Sequence, residues 1–322
     1  MLNQTPWMIA DELAPGSKHR MELTFPDAVL DRVAIPATVI RGQTDGPRIA
    51  VISGVHGGEY PGPAAAVRFA REIDPAGLSG SLVIVPVVNQ TAFWQRTAFV
   101  TPDDGINLNR VFPGDLNGTF SEVLARRLFD ALVEPADILI DLHSGDIFES
   151  LTPFSGYFKM SDKSLQERSA MVAHAFMLPI VNAYPEPFPG SLTSAAARAG
   201  VASAIVEVGG NGLLPSEDEA MVFDGLINAL RAVNSLNEPA RTVPQTIYEP
   251  ASSADAPAAG LWRPAVGLNQ QVEAGERLGT LTDLYGDEIA DIVAPEAGEV
   301  VFYMTCLPVH TGETLVALGR PV

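Results

Sequence analysis

Arg48-Ile49-Ala50-Val51-Ile52-Ser53-Gly54-Val55-His56-Gly57-Gly58-Glu59 decides how the rest of the chain is read. Its first half, Arg48 to Ser53, is a near-continuous apolar run, the pattern of a strand covered on both faces. Its second half places a His and a Glu three residues apart, near enough to grip one ion. The two glycines between them let the chain turn without a side chain in the way. Two later segments extend the pattern: Asp141-Leu142-His143 and Val206-Glu207-Val208-Gly209. His56 and Glu59 are near neighbours, whereas His143 reaches them only through a folded domain. Two near ligands and one far ligand form the donor set of an open catalytic zinc site, with the fourth position left for water. Glu207 then remains as a base.

Working outward, Leu82 to Val88, Ile138 to Leu142 and Val201 to Val208 repeat the apolar signature of the first run. Together they predict a mostly parallel sheet. Pro63 to Ile73 opens with a helix-starting proline, and Ser121 to Val133 opens with a capping-type serine and carries apolar residues at helical spacing. The sheet is therefore expected to be wrapped by helices. His56 and Glu59 follow the first run, His143 the third, and Glu207 ends the fourth. All four fall at carboxyl ends of predicted strands, where ligands bind in open α/β sheets.

Near residue 237 the composition changes. Asn237 to Pro244 and Pro250 to Gly260 read as a linker or extended lead-in. Beyond them lie short strands and turns without a helix: Leu261-Trp262, Val266-Gly267, Val272 to Gly275, Arg277 to Leu281, Ala294 to Gly298, Val300 to Tyr303 and Thr314 to Leu318. Two phrases in this stretch are alike, Val272-Glu273-Ala274-Gly275-Glu276 and Val309-His310-Thr311-Gly312-Glu313, and each leads into an apolar strand. Such repetition implies a quasi-symmetric β sandwich.

The length of 322 residues suits about two domains, and 47% hydrophobic content supplies a core. With 20 basic against 39 acidic residues, the net charge of -19 repels nucleic-acid backbones and anionic membrane surfaces. Met1 to Glu12 lacks a basic region followed by an apolar core, and no uncharged apolar run approaches the roughly 18 residues of a membrane span. The sequence thus reads as a soluble, unprocessed protein with no membrane or nucleic-acid partner. A single cysteine, Cys306, excludes an internal disulfide and a thiolate cage, which fits a cytoplasmic location. Cys306 itself is expected as a small buried apolar residue.

Four separated motifs now stand in order: His56-Gly57-Gly58-Glu59, Asn107-Leu108-Asn109-Arg110-Val111-Phe112-Pro113-Gly114, Asp141-Leu142-His143 and Glu207. In this order they resemble the succinylglutamate desuccinylase/aspartoacylase family, a branch of the zinc carboxypeptidase superfamily, over about residues 45 to 235. The resemblance implies an α/β zinc hydrolase, with one zinc ion per chain, that cleaves the amide of a small N-acylated amino acid. The C-terminal unit resembles the biotinyl/lipoyl-type barrel-sandwich. No lysine follows Lys163, so an attachment role for biotin or lipoate is excluded. The expected division is a catalytic domain over 1–245 and a β-rich barrel-sandwich-like domain over 246–322.

By the same resemblance Arg96 would stabilise the oxyanion, and Asn109 and Arg110 would bind a substrate carboxylate through a fork-shaped contact. Arg96 matches only by approximate spacing, and a solvated surface charge is its other reading. Many relatives carry Asp where this chain has Asn107, so support of a metal-bound His from the second side of its ring would come without charge. Glu207 ends an apolar strand, where an unneeded carboxylate costs several kcal/mol. Proton transfer is a sufficient reason for it, and capping of the Gly209-Gly210 turn is the structural alternative. His19, His174 and His310 have no motif around them. Besides deacylation, two functions stay open at this level: trimming of peptide C-termini, and a non-catalytic zinc protein. Exposed edges of the β unit leave homo-oligomer formation open as well.

Overall fold

The computed structural model describes residues 5–322, and of Met1 to Glu12 the first four lie outside the described residues. Among the described residues nine strands build the N-terminal part: β1 (Ser17–Thr24), β2 (Ala34–Arg41), β3 (Thr44–Ser53), β4 (Ser79–Val85), β5 (Ile138–His143), β6 (Glu149–Leu151), β7 (Phe154–Phe158), β8 (Ile180–Tyr184) and β9 (Ala202–Glu207). Eight follow: β10 (Thr246–Asp255), β11 (Gly260–Pro264), β12 (Gln271–Val272), β13 (Arg277–Thr282), β14 (Glu288–Val293), β15 (Gly298–Met304), β16 (Pro308–Val309) and β17 (Thr314–Pro321). One long mixed sheet runs β1-β2-β4-β3-β5-β9-β7-β8-β10-β17-β15-β12, with β6 on β15, and a second sheet runs β14-β13-β11-β16. This is the zinc carboxypeptidase-like arrangement expected from the sequence, with helices around a mixed sheet and an antiparallel β unit after it.

The four apolar runs are the central parallel strands β4, β3, β5 and β9. Their side chains alternate into two separate cores. Ala50, Ile52, Val83, Val85 and Leu139 enter one, and Ile49, Val51, Leu82, Ile84 and Ile140 enter the other. Each fully buried Val, Leu or Ile stabilises the fold by about 1.5–3 kcal/mol, so a strand apolar at every position is the sequence of a strand buried twice. Among the described residues seven α-helices pack around the sheet: α1 (Pro6–Glu12), α2 (Pro61–Glu72), α3 (Gln90–Gln95), α4 (Phe120–Leu128), α5 (Lys163–Ala175), α6 (Leu192–Arg198) and α7 (Ser216–Ala232).

Two local expectations are corrected. The helix expected over Ser121 to Val133 starts one residue earlier and passes into a π turn at Phe129–Val133. Its cap is Thr119, which closes a capping box with Glu122. Ser121 is buried and bonds through its N–H and hydroxyl to Asp104, at 2.8 Å each, so its polar groups serve a loop contact. In the C-terminal unit, Val266-Gly267 and Ala294 to Glu296 lie outside the strands, while the polar segment β14 is a strand.

The Pro250 to Gly260 lead-in is mostly strand. β10 pairs at its start with β8 in parallel and then with β17 antiparallel, so its backbone is continuous with both parts of the molecule. The two similar phrases occupy equivalent places. Gly275 and Gly312 have φ of +82° and +85°, a left-handed turn that glycine makes without strain. The Glu273 N–H bonds the Glu276 carboxylate at 2.9 Å, and the His310 N–H bonds the Glu313 carboxylate at 2.8 Å. The glycine N–H groups reach Ala294 O and Ala256 O, both at 2.8 Å. Each phrase joins a two-residue strand to a long one, so β12-β15-β17-β10 mirrors β16-β11-β13-β14. Trp262 is 1% exposed at the centre of this unit; its indole N–H bonds Met304 O at 3.0 Å, and its ring leaves room only for glycine at 279. Cys306 is half-buried rather than enclosed, its thiol donating to Pro308 O. Among the described residues no helix is long and apolar enough to cross a membrane.

Candidate metal centre and active site

β3 delivers His56 and Glu59 through a loop that α2 closes one residue beyond Tyr60. Neither Gly57 nor Gly58 needs a positive φ; both are required by close approach. A Cβ on Gly57 would stand 2.2 Å from Ala92 O, and one on Gly58 would stand 2.0 Å from Asp146 Oδ1. The loop is thus pressed between the end of α3 and the loop after β5. His143 closes β5, and Glu207 closes β9 in direct register with it. Residues in register on neighbouring strands lie about 4.8 Å apart and point to the same face.

His56, Glu59 and His143 converge in a buried cluster whose donor atoms all lie within 4.8 Å of one another. His56 Nδ1 is 2.6 Å from Glu59 Oε1, and His143 Nδ1 is 2.9 Å from Glu59 Oε2. The opposite ring nitrogens face oxygen acceptors: His56 Nε2 is 3.1 Å from Asn107 Oδ1, and His143 Nε2 is 3.1 Å from Asp141 Oδ1. When the proton of each ring lies on Nε2, each Nδ1 turns a lone pair toward the Glu59 carboxylate. Two lone pairs and a carboxylate aimed at one buried point repel each other unless a cation lies among them, so the donor set fits a metal ion. The electrostatics agree. Burial works against charge on both imidazoles, yet Glu59, joined at His143 by Asp141, holds both above their ordinary range. Burial would push Glu59 up, but the two imidazoles hold it down to about 2.

Asn107 accepts from His56 Nε2 and also from the Asn109 N–H at 2.8 Å, so it both orients the ring and caps the short 3-10 turn Leu108–Arg110. Asp141 is fully buried and has His143 as its polar neighbour.

Glu207 is half-buried and makes no hydrogen bond among the described residues. Burial pushes its carboxyl well above the usual range; His143 opposes this, and the charges of Glu59, Glu149 and Asp141 reinforce it. A carboxyl whose proton affinity is raised, beside a cluster whose donors could hold a metal ion, has the chemistry that proton transfer uses.

The other three expected residues lie on flanking loops. Asn109 is 5% exposed; its Oδ1 accepts the Leu192 N–H at 2.8 Å at the start of α6, which leaves its amide N–H groups without a partner among the described residues. Arg110 is exposed and donates from Nη1 to Asn109 O at 2.9 Å. Arg96 is exposed and caps α3 with φ of +55°, next to Thr97, whose carbonyl crowds Gly57. Among the described residues neither guanidinium pairs with a carboxylate or touches the His/Glu cluster.

Sequence reasoning missed two carboxylates. Asp146 accepts the N–H groups of Phe99 and Ile147 at 2.8 and 2.7 Å and so ties the Arg96 loop to the loop after β5. Glu149 accepts the Asp146 N–H at 2.8 Å; burial, with the charges of Glu59 and Asp146, pushes it up to about 7. No motif marks either residue, because their importance comes from where the loops meet. Of the unassigned histidines, His174 bonds Gln245 Oε1 at 2.9 Å, a structural contact.

The sequence profile of the succinylglutamate desuccinylase/aspartoacylase catalytic domain matches residues 45–233. An N-alpha-acetyl-L-2,4-diaminobutyric acid deacetylase of Halomonas elongata is 28% identical across 96% of this chain and 93% of its own length. Among solved structures, a succinylglutamatedesuccinylase/aspartoacylase from Rhodobacter sphaeroides superposes with a TM-score of 0.85 at 26% identity, covering 96% of both chains. The product-bound ectoine utilization protein EutE (DoeB) of Ruegeria pomeroyi does so with a TM-score of 0.85 at 25% identity, covering 95% of this chain and 96% of its own. With the profile match spanning more than half of its residues, and the fold shared along nearly its full length, this chain belongs to the succinylglutamate desuccinylase/aspartoacylase family of N-acyl amino acid amidohydrolases.

Proposed function

We propose that this chain is a zinc-dependent deacylase that hydrolyses the amide of a small N-acyl amino acid, with an N-acetylated diamino acid as the leading substrate. The observation that carries the reading is the register of Glu207 beside His143, which sets a carboxylate with no hydrogen-bond partner among the described residues next to three convergent candidate metal donors. His56, Glu59 and His143 would hold one zinc ion, which when bound supplies Lewis acidity toward water and the acyl carbonyl. Glu207 takes a proton from the attacking water and returns it to the departing amino group. Arg96 faces the charge that develops on the acyl oxygen. The free amide N–H groups of Asn109 and the open side of the Arg110 fork hold the substrate carboxylate.

Small substrates are favoured over peptides by the way the β unit is tied in. β15 pairs with β6, Thr305 N–H bonds Phe148 O at 2.7 Å, and the Thr305 hydroxyl bonds Asn211 at 2.7 Å, so the unit is fixed to the loops after both β5 and β9. The acetyl group and the diamino acid are suggested by the Halomonas relative, and small polar substrates of this kind suit a cytoplasmic enzyme.

The test is release of free amine from N-acetyl, N-succinyl and N-formyl amino acids, acidic and basic, by zinc-loaded protein, with unblocked peptides alongside. Cleavage of acyl amino acids without peptide trimming is expected. Trimming alone would assign a carboxypeptidase, and silence of the metal-loaded protein across the panel would return the non-catalytic reading.

A further inference from the structure

Ile205 lies on β9, a strand with neighbours on both sides, yet it is half-buried while Ala204 and Val206 beside it are enclosed. An apolar side chain that water reaches in the middle of a sheet marks a gap in the layer covering that face. The gap is closed at one end by α6, where the Ser203 hydroxyl donates to Thr193 O at 3.1 Å. Glu207 stands at its other end. Alternation puts Ile205 and Glu207 on one face of β9, and register carries that face across two more strands. Phe154 lies opposite Glu207, Gly156 opposite Ile205, and Asn182 opposite Gly156, with Tyr184 two residues beyond. Phe154, Asn182 and Tyr184 are half-buried, whereas Ser155, Val181 and Ala183 on the other face are buried. A recess therefore runs from Glu207 across β7 to Tyr184.

Gly156 sets the position of the aromatic wall. A Cβ there would stand 2.7 Å from Tyr184 Cε2 and 3.2 Å from Ile205 Cγ2, so the Tyr184 ring fills the space above the glycine and leans toward β9. Phe158 and Phe188 pack against that ring with centroids 5.6 and 6.0 Å away. Asn182 Nδ2 donates to the Tyr184 hydroxyl at 3.4 Å; among the described residues the Tyr184 O–H and Asn182 Oδ1 have no further partner. Burial and the charge of Glu207 hold the hydroxyl above its ordinary range, so it stays a phenol. The recess thus offers one donor and an acceptor to spare. It has no cation of its own: Arg198 is exposed at the end of α6 and donates to Pro187 O at 2.6 Å, and Lys159 pairs with Glu249.

We propose, resting on the deacylase reading and deepening it, that this recess receives the side chain of the released amino acid, and that Asn182 and Tyr184 select a side chain ending in an amine. The place follows from the carboxylate anchors. Asn109 accepts the Leu192 N–H at 2.8 Å and the Phe112 N–H bonds Gly190 O at 2.9 Å, so the Asn109–Arg110 turn is fastened to the segment that runs on from Tyr184. Carboxylate and side chain leave the same substrate carbon, so a carboxylate held at that turn directs the side chain into the neighbouring recess. The class follows from the charges. An aspartyl or glutamyl side chain would enter beside Glu207 with no cation to pair it, which costs several kcal/mol. An amine donates to Asn182 Oδ1 and the Tyr184 oxygen, stands over aromatic rings, and is drawn by Glu207.

The test compares kcat/KM of the full-length zinc-loaded protein for N-acetyl-2,4-diaminobutyrate and N-acetylnorvaline, in which a methyl group replaces the terminal amine. Wild type is expected to favour the amine by at least about 100-fold, because the analogue leaves polar groups of the recess unpaired. Tyr184→Phe keeps the ring and removes the hydroxyl; it should raise KM for the amine about tenfold and leave kcat and the norvaline substrate unchanged. Asn182→Leu should shrink the same ratio. N-acetylaspartate should be cleaved most slowly of the three. Equal rates on the amine and its methyl analogue, a ratio that neither variant alters, or a preference for the acidic side chain would each overturn the proposal while leaving the deacylase standing. Silence of wild type on every acyl amino acid would remove both.

Discussion

The buried donor cluster and the exposed arginine rim lie on adjoining loops, yet the fold treats them in opposite ways. The nitrogens of both rings face oxygen: Nδ1 of each faces Glu59, His56 Nε2 faces Asn107, and His143 Nε2 lies against Asp141 without hydrogen-bond geometry. Arg96 and Arg110 are exposed, and neither pairs with a carboxylate among the described residues, although acidic residues outnumber basic ones 39 to 20. Under the proposed function the difference separates two tasks. Metal donors must be held at fixed distances before anything binds, so the fold spends hydrogen bonds on them. Groups that meet a substrate must be free until it arrives. Glu207 lies between the extremes, fixed by register on its strand but with no hydrogen-bond partner.

The comparison breaks most completely at His143. His143→Ala removes one donor and leaves Asp141 and Glu59 uncompensated in the interior, so the purified variant should contain no zinc by elemental analysis and release no amine. Retention of a full equivalent would mean the cluster is not the metal site. Next in size, Glu207→Gln should keep its zinc while turnover falls by about 10² to 10⁴, the worth of a positioned acid-base group; unchanged turnover would hand the proton to another residue. Asn107→Ala leaves all three donors but frees His56 Nε2, and zinc affinity should weaken by about 10–100-fold in a chelator competition. Asn107→Asp should retain affinity, and equal affinity in Asn107→Ala would show that the ring is oriented by its surroundings alone. Smallest is Arg110→Ala, which should raise KM about tenfold for carboxylate-bearing substrates with little change in zinc content. If kcat fell while KM held, Arg110 would belong to the reacting centre and the division between cluster and rim would blur.

The cluster was legible in the sequence because its residues terminate strands that announce themselves. The carboxyl-terminal halves of β3 and β4, with most of β5 and β9, are apolar runs, and a strand segment buried on both faces admits little else. β1 and β2 lacked that signal, being partly exposed at the edge of the sheet. β10 was invisible as a strand: its Ala-, Ser- and Pro-bearing sequence has no alternation, and partners on both sides make it one. The Val272 and Val309 phrases are visible as a repeat, but the shared glycine turn and Glu-to-backbone bond depend on backbone geometry that the residue pattern does not specify. Asp146 and Glu149 illustrate the limit at the site. Their positions follow from loops meeting across long sequence separations, which local patterns do not encode.

The central claim is that one zinc ion in the His56, Glu59 and His143 cluster makes this chain a deacylase. Its most direct test is a titration of metal-stripped wild-type protein with zinc, following amine release from an N-acetylated diamino acid. The account predicts activity that rises linearly and saturates at one equivalent per chain. Full activity in the stripped protein, or none at any zinc level, would contradict it.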